Sequence, residues 1–311
     1  MDDTDLLICK QLFNNSRLSQ RDLADALGLT VAAVHRRVES LIEEGIIKEF
    51  TANISNGYLK AMTAQVEGIC ECRSVDAVAG KLEKSGSIVS ILVSSANLTT
   101  ASLLLREISD LGPTVEHIRT ALQMQQPKVT ISARVFVGNE LFEKEYTGNR
   151  ELSRIDYRII NALHHNSRKL VVDIAEETGI TPKTIRNHIE QMEKESAIEY
   201  TLVWNPAYSG GADFVLRIDL KPGVDKAQYI STLNQRFGSR VILTLIHSNM
   251  LDYVCGYCWA PTIAKQQEFI EAVRGDQRVV DVRTSMVHKE WQFETWRDRL
   301  LKERAALKRE A

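Results

Sequence analysis

Apolar residues near the N-terminus recur at helical spacing in three short blocks. Positions three and four apart share one face of an amphipathic helix, so each block predicts a short helix with one buried side. Gly28-Leu29-Thr30 separates the second block from the third, where Gly permits a left-handed turn and Thr caps the next helix. The blocks hold Leu6, Leu7, Leu12 and Phe13, then Leu23, Ala24 and Leu27, and then Val34, Val38, Leu41 and Ile42.

This arrangement is typical of a helix-turn-helix. The third helix is predicted to end at Gly45, and the strand-like run 46–51 would supply one arm of a wing. We therefore predict a winged helix-turn-helix domain over residues 1–53.

The same segment occurs twice. Residues 5–50 reappear as residues 156–201 at a constant shift of 151 positions, and self-similarity at a fixed offset indicates a duplicated unit. A second winged domain is therefore predicted over 152–203. Matching pairs include Asp5 and Asp156, Asn15-Ser16-Arg17 and Asn166-Ser167-Arg168, Gly28 and Gly179, Thr30 and Thr181, and Glu44 and Glu195.

Strand and helix patterns alternate after each winged domain. Over residues 212–290 the order is β-α-β-β-α-β, so a ferredoxin-like domain is predicted there and the fold class is α+β. The predicted elements are Phe214–Lys221, Asp225–Phe237, Arg240–His247, Asp252–Trp259, Thr262–Arg274 and Val279–His288.

The corresponding domain of the first half, residues 58–137, is predicted to be degenerate. About nine residues separate Leu105 from Val115, so its second helix is expected to be short or missing, near Glu107–Leu111. The other predicted elements are strand Ala61–Gly68, helix Ala77–Lys84, and strands Ser87–Ser94, Thr99–Leu105, Val115–Met124 and Val129–Val137, with a break at Gln126-Pro127. A linker over 138–151 and a charged C-terminal segment over 291–311, with a helix from Glu294 to Glu310, complete the chain.

The overall charge gives no support for nucleic-acid binding. The chain of 311 residues has a net charge of −2, and residues 1–50 hold six Lys and Arg against nine Asp and Glu. Residues 151–200 hold seven against nine. Because cationic side chains supply most of the non-specific affinity for DNA, the DNA-binding hypothesis depends on where the charges lie.

The third helix of each copy carries base-recognition chemistry on its predicted exposed face. If Val34, Val38 and Leu41 are buried, then Ala32, His35 and Arg36 face outward near the helix N-terminus, the part that enters a major groove. The second copy has Lys183, Arg186 and Asn187 at these positions. The full set of candidate DNA-binding residues is Thr30, Ala32, His35, Arg36, Arg37, Thr181, Lys183, Arg186, Asn187 and His188. The alternative is that these are only solvated helix faces.

The chain resembles a tandem duplication of the leucine-responsive regulatory protein/AsnC (Lrp/AsnC) family of transcription regulators. The matching residues are Asp5, Leu23-Ala24, Gly28-Leu29-Thr30 and the run 34–50, followed by the β-α-β-β-α-β domain. The resemblance implies a DNA-binding domain and a domain that forms dimers and binds an amino-acid-like effector. It places the effector loop at Ser248–Asp252, with His247, Asn249 and Asp252 as candidate effector ligands.

The sequence also departs from the family pattern. Ser196 replaces Gly45 and His188 replaces Arg37 in the second winged domain. Asn249 stands where the family has Gly, and Asn is the residue best able to mimic the left-handed backbone of Gly. The loop 94–100 of the first half has no Asp.

Two copies in one chain predict a covalently fused pseudo-dimer. Its two recognition helices would contact half-sites about 34 Å apart, and these half-sites should differ because the two helices differ. A homodimer or higher oligomer, in which like copies pair and four DNA-binding domains are displayed, is the alternative arrangement.

Two other functions stay open. Cys70 with Cys72 and Cys255 with Cys258 could serve a metal or redox sensor, although Cys255 and Cys258 should point to opposite faces of a strand. The other is a tetrapyrrole-processing enzyme, because some haem-biosynthetic decarboxylases resemble this architecture.

We expect no metal, no cofactor and no catalytic residue. The acidic start and the lack of a long apolar run favour a cytoplasmic protein without membrane contact.

Overall fold

The computed structural model describes residues 1–72 and 74–306, apart from the side chain of Ala207. The helices are α1 (Asp3–Asn14), α2 (Gln20–Leu27), α3 (Val31–Glu43), α4 (Asn56–Leu59), α5 (Asp76–Leu82), α6 (Leu111–Leu122), α7 (Arg154–Leu163), α8 (Val171–Thr178), α9 (Pro182–Lys194), α10 (Lys226–Phe237), α11 (Ile263–Arg274) and α12 (Trp296–Ala306). The strands are β1 (Ile47–Ile54), β2 (Met62–Cys70), β3 (Ile88–Ser94), β4 (Leu98–Leu105), β5 (Met124–Val137), β6 (Glu140–Leu141), β7 (Ile198–Trp204), β8 (Ala212–Leu220), β9 (Val241–His247), β10 (Tyr253–Ala260) and β11 (Val279–Gln292).

The chain divides into two compact units, and each unit takes segments from both sequence halves. One unit comprises residues 1–10, 61–142 and 206–295, and the other comprises residues 11–60, 143–205 and 296–311. We call the first the barrel unit and the second the helix-turn-helix unit. Most of each predicted winged domain therefore falls in one unit, and most of each predicted ferredoxin-like domain falls in the other. The predicted helix 294–310 begins at Trp296, and its last four positions lie outside the described residues.

In the helix-turn-helix unit, a two-stranded sheet joins the two copies. Strand β1 pairs antiparallel with β7, including Phe50 with Leu202 and Thr51 with Thr201. Shifting either pair by the repeat length of 151 converts it into the other, so a pseudo-twofold axis passes between them. The strand predicted at 46–51 is confirmed. Its partner is a strand of the other copy.

The same axis passes between two buried serines. Ser16 and Ser167 are equivalent in the repeat, and their hydroxyl oxygens lie 2.6 Å apart. Arg17 donates a hydrogen bond to the carbonyl of Ser167 at 2.6 Å, and Arg168 donates to the carbonyl of Ser16 at 2.7 Å. Arg168 donates a further bond to the carbonyl of Leu18. The repeated Asn-Ser-Arg motif thus joins the two copies.

The strands of the barrel unit form one closed antiparallel sheet. Their order is β2-β4-β3-β11-β8-β10-β9-β5, and β5 pairs again with β2, while β6 extends β5 at one edge. Each half contributes a four-stranded β-α-β-β-α-β sheet. Its long last strand reaches across to the second strand of the other half, through the pairs β5–β9 and β11–β3. Eight strands therefore close into a barrel.

The first half of the barrel unit is regular, which corrects three predictions. Residues 115–124 were predicted as a strand, but α6 occupies Leu111–Leu122, so the second helix is neither short nor missing. The side chains of Thr114, Ile118 and Leu122 are buried at helical spacing. The predicted break at Gln126-Pro127 is instead an irregularity within the continuous strand β5, where Gln126 has a φ of 40°.

Alternation along the strands separates the outside of the barrel from its interior. Phe214, Leu216 and Ile218 belong to an apolar core beside Tyr229 of α10 and Phe269 of α11. The first half has a matching core under α5 and α6. The strand residues that alternate with these core residues face the barrel interior. The apolar cluster there contains Leu92, Val215, Leu245, Tyr253 and Cys255.

Candidate nucleic-acid interface and barrel interior

The N-terminus of α3 is fixed by its capping residue. Thr30 has extended backbone geometry, and its hydroxyl accepts a hydrogen bond from the amide of Ala33 at 3.2 Å. Gly28 has the left-handed φ of 65° that the turn requires. The helix buries Val34, Val38 and Leu41, as the periodicity predicts.

The opposite face of α3 is exposed, although one of its side chains is already held by neighbours. Ala32, His35 and Arg36 are exposed, while Arg37 is half-buried. The imidazole of His35 accepts a hydrogen bond from the amide of Gln20 at its Nδ1 atom, at 2.8 Å. Its Nε2 atom lies 3.1 Å from the carboxylate of Glu39. Arg36 is therefore the exposed cation on this face, and His35 links α2 to α3.

Helix α9 presents a more basic face. Thr181 caps it by accepting from the amide of Thr184, and Pro182 occupies its first turn. Lys183, Arg186 and Asn187 are exposed, whereas the buried residues are Ile185, Ile189 and Met192.

His188 contacts a buried acidic network instead of joining the exposed face. Its Nδ1 atom lies 2.7 Å from Asp156, whose side chain is fully buried. Arg150 contacts the other oxygen of Asp156 at 2.7 Å, and Ser153 also donates to that oxygen. Burial by itself raises the pKa of Asp156, but the hydrogen bonds from Arg150, His188 and Ser153 hold that pKa below its usual value.

This network was not predicted from the sequence. Its signal was the replacement of Arg37 by His188 in the second copy.

The barrel interior contains a buried ion pair. Arg217 donates from Nε and from one terminal nitrogen to the same carboxylate oxygen of Glu67, and it donates from its other terminal nitrogen to Ser285 at 2.9 Å. Only 6% of the Arg217 side chain is exposed, against 27% of Glu67.

Glu67 and Arg217 occupy equivalent positions in the two halves. Each is the sixth residue of its nine-residue strand, β2 or β8, and each follows a fully buried residue on the opposite face. Two identical halves would therefore bring like charges together here. The Glu–Arg pair is complementary because the halves differ.

The predicted effector residues have three different environments in the barrel unit. His247 is 1% exposed, neither ring nitrogen has a hydrogen-bond partner among the described residues, and burial and Lys226 lower its pKa to about 4. Asn249 accepts from the amide of Ile131 and donates to the carbonyl of Val129, both on β5. Asp252 is half-buried directly before β10.

The cysteine pairs differ in geometry. Cys255 belongs to the interior cluster and Cys258 to the outer core, so the prediction that they point apart is confirmed. The sulfurs of Cys70 and Cys72 lie 3.0 Å apart, and burial together with Cys70 raises the pKa of Cys72 to about 11. Within residues 1–72 and 74–306, no group of three or more His, Cys, Asp or Glu side chains is arranged to hold a metal ion.

The match to a known protein family occurs twice, once in each copy of the duplicated segment. The family model for winged helix-turn-helix DNA-binding domains matches residues 1–48 and again residues 152–199. Each match precedes a β-α-β-β-α-β half of the barrel. The chain therefore contains two domains of the winged helix-turn-helix DNA-binding type.

Curated relatives of this chain correspond to a single copy. It is 27% identical over 137 residues to the HTH-type transcriptional regulator Rv2324 of Mycobacterium tuberculosis, covering 42% of this chain and 90% of that protein. It is 29% identical over 139 residues to the HTH-type transcriptional regulator Ptr1 of Methanocaldococcus jannaschii, covering 44% and 94%. Each relative is thus similar to about half of the duplicated chain.

A solved structure matches the whole duplicated architecture. The match to the siroheme decarboxylase NirDL covers 97% of this chain and 98% of that protein, with a TM-score of 0.60 and 11% sequence identity. This likeness establishes a shared fold. Among the described residues, no helix is long and apolar enough to cross a membrane.

Proposed function

We propose that the chain is a cytoplasmic, sequence-specific transcription regulator that binds double-stranded DNA through α3 and α9. The observation that supports this most directly is the pseudo-twofold axis between β1 and β7, because it relates two exposed recognition helices within one chain. Twofold-related recognition helices fit two half-sites about one DNA turn, or 34 Å, apart. The two single-copy relatives are named as transcriptional regulators, which agrees with this role.

The two half-sites should have different sequences. Helix α3 offers Arg36, whereas α9 offers Lys183, Arg186 and Asn187. Arg pairs well with guanine and Asn with adenine in the major groove. Thr30, Ala32, His35 and Arg37 in the first copy, with Thr181 in the second, complete the proposed surface, and His188 supports it from behind through its contact with Asp156. His35 and His188 would act mainly by orienting neighbouring groups, since both already contact acidic side chains.

The test begins with DNA sequences selected from a random pool by the purified full chain. Fluorescence anisotropy across a salt series then compares the selected DNA with random DNA. We expect Arg36→Ala and Arg186→Ala each to weaken binding to the selected site by about tenfold, since a good bidentate base contact contributes about 1–3 kcal/mol. Arg21→Ala is the matched control, because Arg21 is an exposed arginine on α2 outside the recognition faces.

Equal affinity for selected and random DNA, with no response to either substitution, would contradict the proposal. A shifted Soret band on adding an iron tetrapyrrole, together with that result, would favour the enzymatic alternative raised by the NirDL likeness.

We further propose that the barrel unit senses a small amino-acid-like effector through the loop 248–252. Its support is the position of this loop, where Asn249 bonds two main-chain groups of β5 and Lys226 donates to the carbonyl of Met250. His247, Asn249 and Asp252 are the proposed residues. An effector that displaced Asn249 would release β5 from the loop. Homodimers of the fused chain, or higher oligomers, would add further DNA-binding domains.

Screening the twenty common amino acids for a change in DNA affinity tests this sensing role. A response that Asn249→Ala removes, and that Gln228→Ala on the exposed face of α10 leaves intact, would support it. No response to any of them would count against it.

A further inference from the structure

A small cavity lies inside the barrel at the end bordered by the loop 248–252. Its volume is about 90 Å³, and its lining includes Glu67, Lys128, Arg217, Tyr253 and Arg283. Met250 from the loop also lines it. Sites that bury a drug-sized ligand measure about 300–1,000 Å³, so this space suits an organic molecule of only a few heavy atoms.

The lining holds more cationic than anionic side chains. Lys128, Arg217 and Arg283 contribute three cationic groups, and Glu67 is the one carboxylate among the lining residues. Arg283 is paired with Asp219 at 2.6 Å and with Asp281 at 3.4 Å, both outside the lining, and Arg217 is paired with Glu67. Lys128 has no ion pair among the described residues and is the unneutralised cation of the lining. Lys128 is exposed at the rim and Arg217 is buried at the floor. Cationic groups set among apolar side chains in this way favour a small anion over a wholly apolar guest.

The buried guanidinium keeps unused hydrogen-bonding capacity. Arginine has five N–H donors. Arg217 uses three of them, two to Glu67 and one to Ser285, so each terminal nitrogen retains one N–H. Arginine forms its strongest hydrogen bonds with carboxylate and phosphate oxygens, and a phosphate ester with its substituents would exceed this volume.

We propose that the barrel interior binds a small carboxylate, of the size of acetate, lactate or alanine. Its carboxylate would lie between Lys128 and the remaining N–H groups of Arg217. This deepens the sensing role proposed above by naming a ligand class and a location inside the barrel. It does not depend on DNA binding. Met250 lines the cavity and belongs to the loop 248–252, which Asn249 holds against β5 by a hydrogen bond.

The test is ligand-observed NMR on the full chain with four probes: acetate, L-lactate, L-alanine and acetamide. Acetamide is the neutral counterpart of acetate. We expect binding of at least one carboxylate and none of acetamide. Lys128→Gln should weaken that binding by about tenfold, as expected for the loss of one charge-assisted contact, whereas Lys84→Gln, at an exposed lysine outside the cavity, should leave it unchanged.

A second variant removes the charges at the cavity floor without leaving one of them unpaired. The double substitution Glu67→Gln with Arg217→Met should abolish carboxylate binding, with folding checked by circular dichroism. Preference for alanine would identify an amino acid as the source of the carboxylate, and preference for acetate or lactate a plain acid.

The inference is overturned if no carboxylate binds at millimolar concentration, or if acetamide binds as well as acetate. Anisotropy on selected DNA is run in parallel. Carboxylate binding without specific DNA binding would refute the proposed function while leaving this site intact.

Discussion

At the scale of single residues, Glu67 and Arg217 favour the pairing of unlike halves inside the barrel. They are equivalent in the duplication, yet they carry opposite charges and contact each other. Two copies of the first half would bring two carboxylates together, and two copies of the second half two guanidinium groups. The ion pair therefore favours closure of the barrel within one chain over pairing of like halves between chains.

A charge-exchange experiment tests this role. Glu67→Arg and Arg217→Glu should each lower the free energy of unfolding by about 3 kcal/mol, because each leaves like charges facing one another in a mostly buried site. The double exchange should recover most of that loss. Urea denaturation of the four proteins measures the coupling. Strictly additive losses would show that the two side chains do not act as a pair.

Because His247 is buried, we expect the free energy of unfolding of the barrel unit to depend on pH. Its pKa in the folded state is about 4, below the unfolded value of about 6.5, because burial disfavours the charged ring. As the pH falls, the imidazole of the unfolded state therefore binds a proton at a higher pH than the imidazole of the folded state does. The stability associated with neutral His247 is fully present above pH 6.5 and is lost as the pH falls toward 4.

We expect His247→Leu to lose less stability than the parent chain between about pH 6.5 and pH 4, by about 3 kcal/mol at the lower limit. Urea denaturation at several pH values measures the difference. His165→Leu is the control, since that imidazole is exposed in the other unit. Parallel pH profiles for the parent and His247→Leu would contradict the assignment.

At the scale of secondary-structure elements, the three helices of each copy followed from the sequence, and α6 did not. Val115 and Ile118 have β-branched side chains, and β-branched residues favour strands, so the segment resembled one. The opposing signals were the buried stripe of Thr114, Ile118 and Leu122 and the position of Pro113 in the first helical turn. Packing against the barrel decided the outcome.

Pairing between elements was the other part that local patterns did not predict. A period of two identifies a strand and its buried face, but it does not identify the partner strand. Strand β1 was expected in a wing and pairs with β7, and the long strands β5 and β11 each join the other half. For the candidate interface, helical periodicity placed Arg36 and Arg186 correctly on exposed faces, while the contact between His188 and Asp156 depends on tertiary packing.

The loops at the pseudo-twofold axis give a prediction at this scale. Arg168 donates to the carbonyls of Ser16 and Leu18, and its guanidinium lies 4.4 Å from the centre of the Phe50 ring. Arg17 donates across the axis to the carbonyl of Ser167, and its guanidinium lies 5.4 Å from the centre of the Tyr200 ring. Arg168→Met should therefore cost more stability than Arg17→Met, by about 1 kcal/mol. Thermal denaturation compares the two, and equal losses would refute the ranking.

At the scale of the whole molecule, duplication supplies in one chain what twofold-symmetric DNA-binding proteins obtain from two. Fusion keeps the two copies at a one-to-one ratio and allows their sequences to diverge. The recognition helices, the paired charges at Glu67 and Arg217 and the buried contact of His188 with Asp156 all differ between copies. Divergence of this kind suits a DNA site with two unlike halves.

The most direct test of this account is the number of chains bound to one selected DNA site, measured by native mass spectrometry at several half-site spacings. We predict one chain per site, and loss of that complex when about 5 base pairs, half a helical turn, are inserted between the half-sites. Exchanging the sequence of one half-site for the other should also weaken it. A requirement for two chains on a single pair of half-sites, or indifference to their spacing, would contradict the claim that α3 and α9 of one chain recognise DNA together.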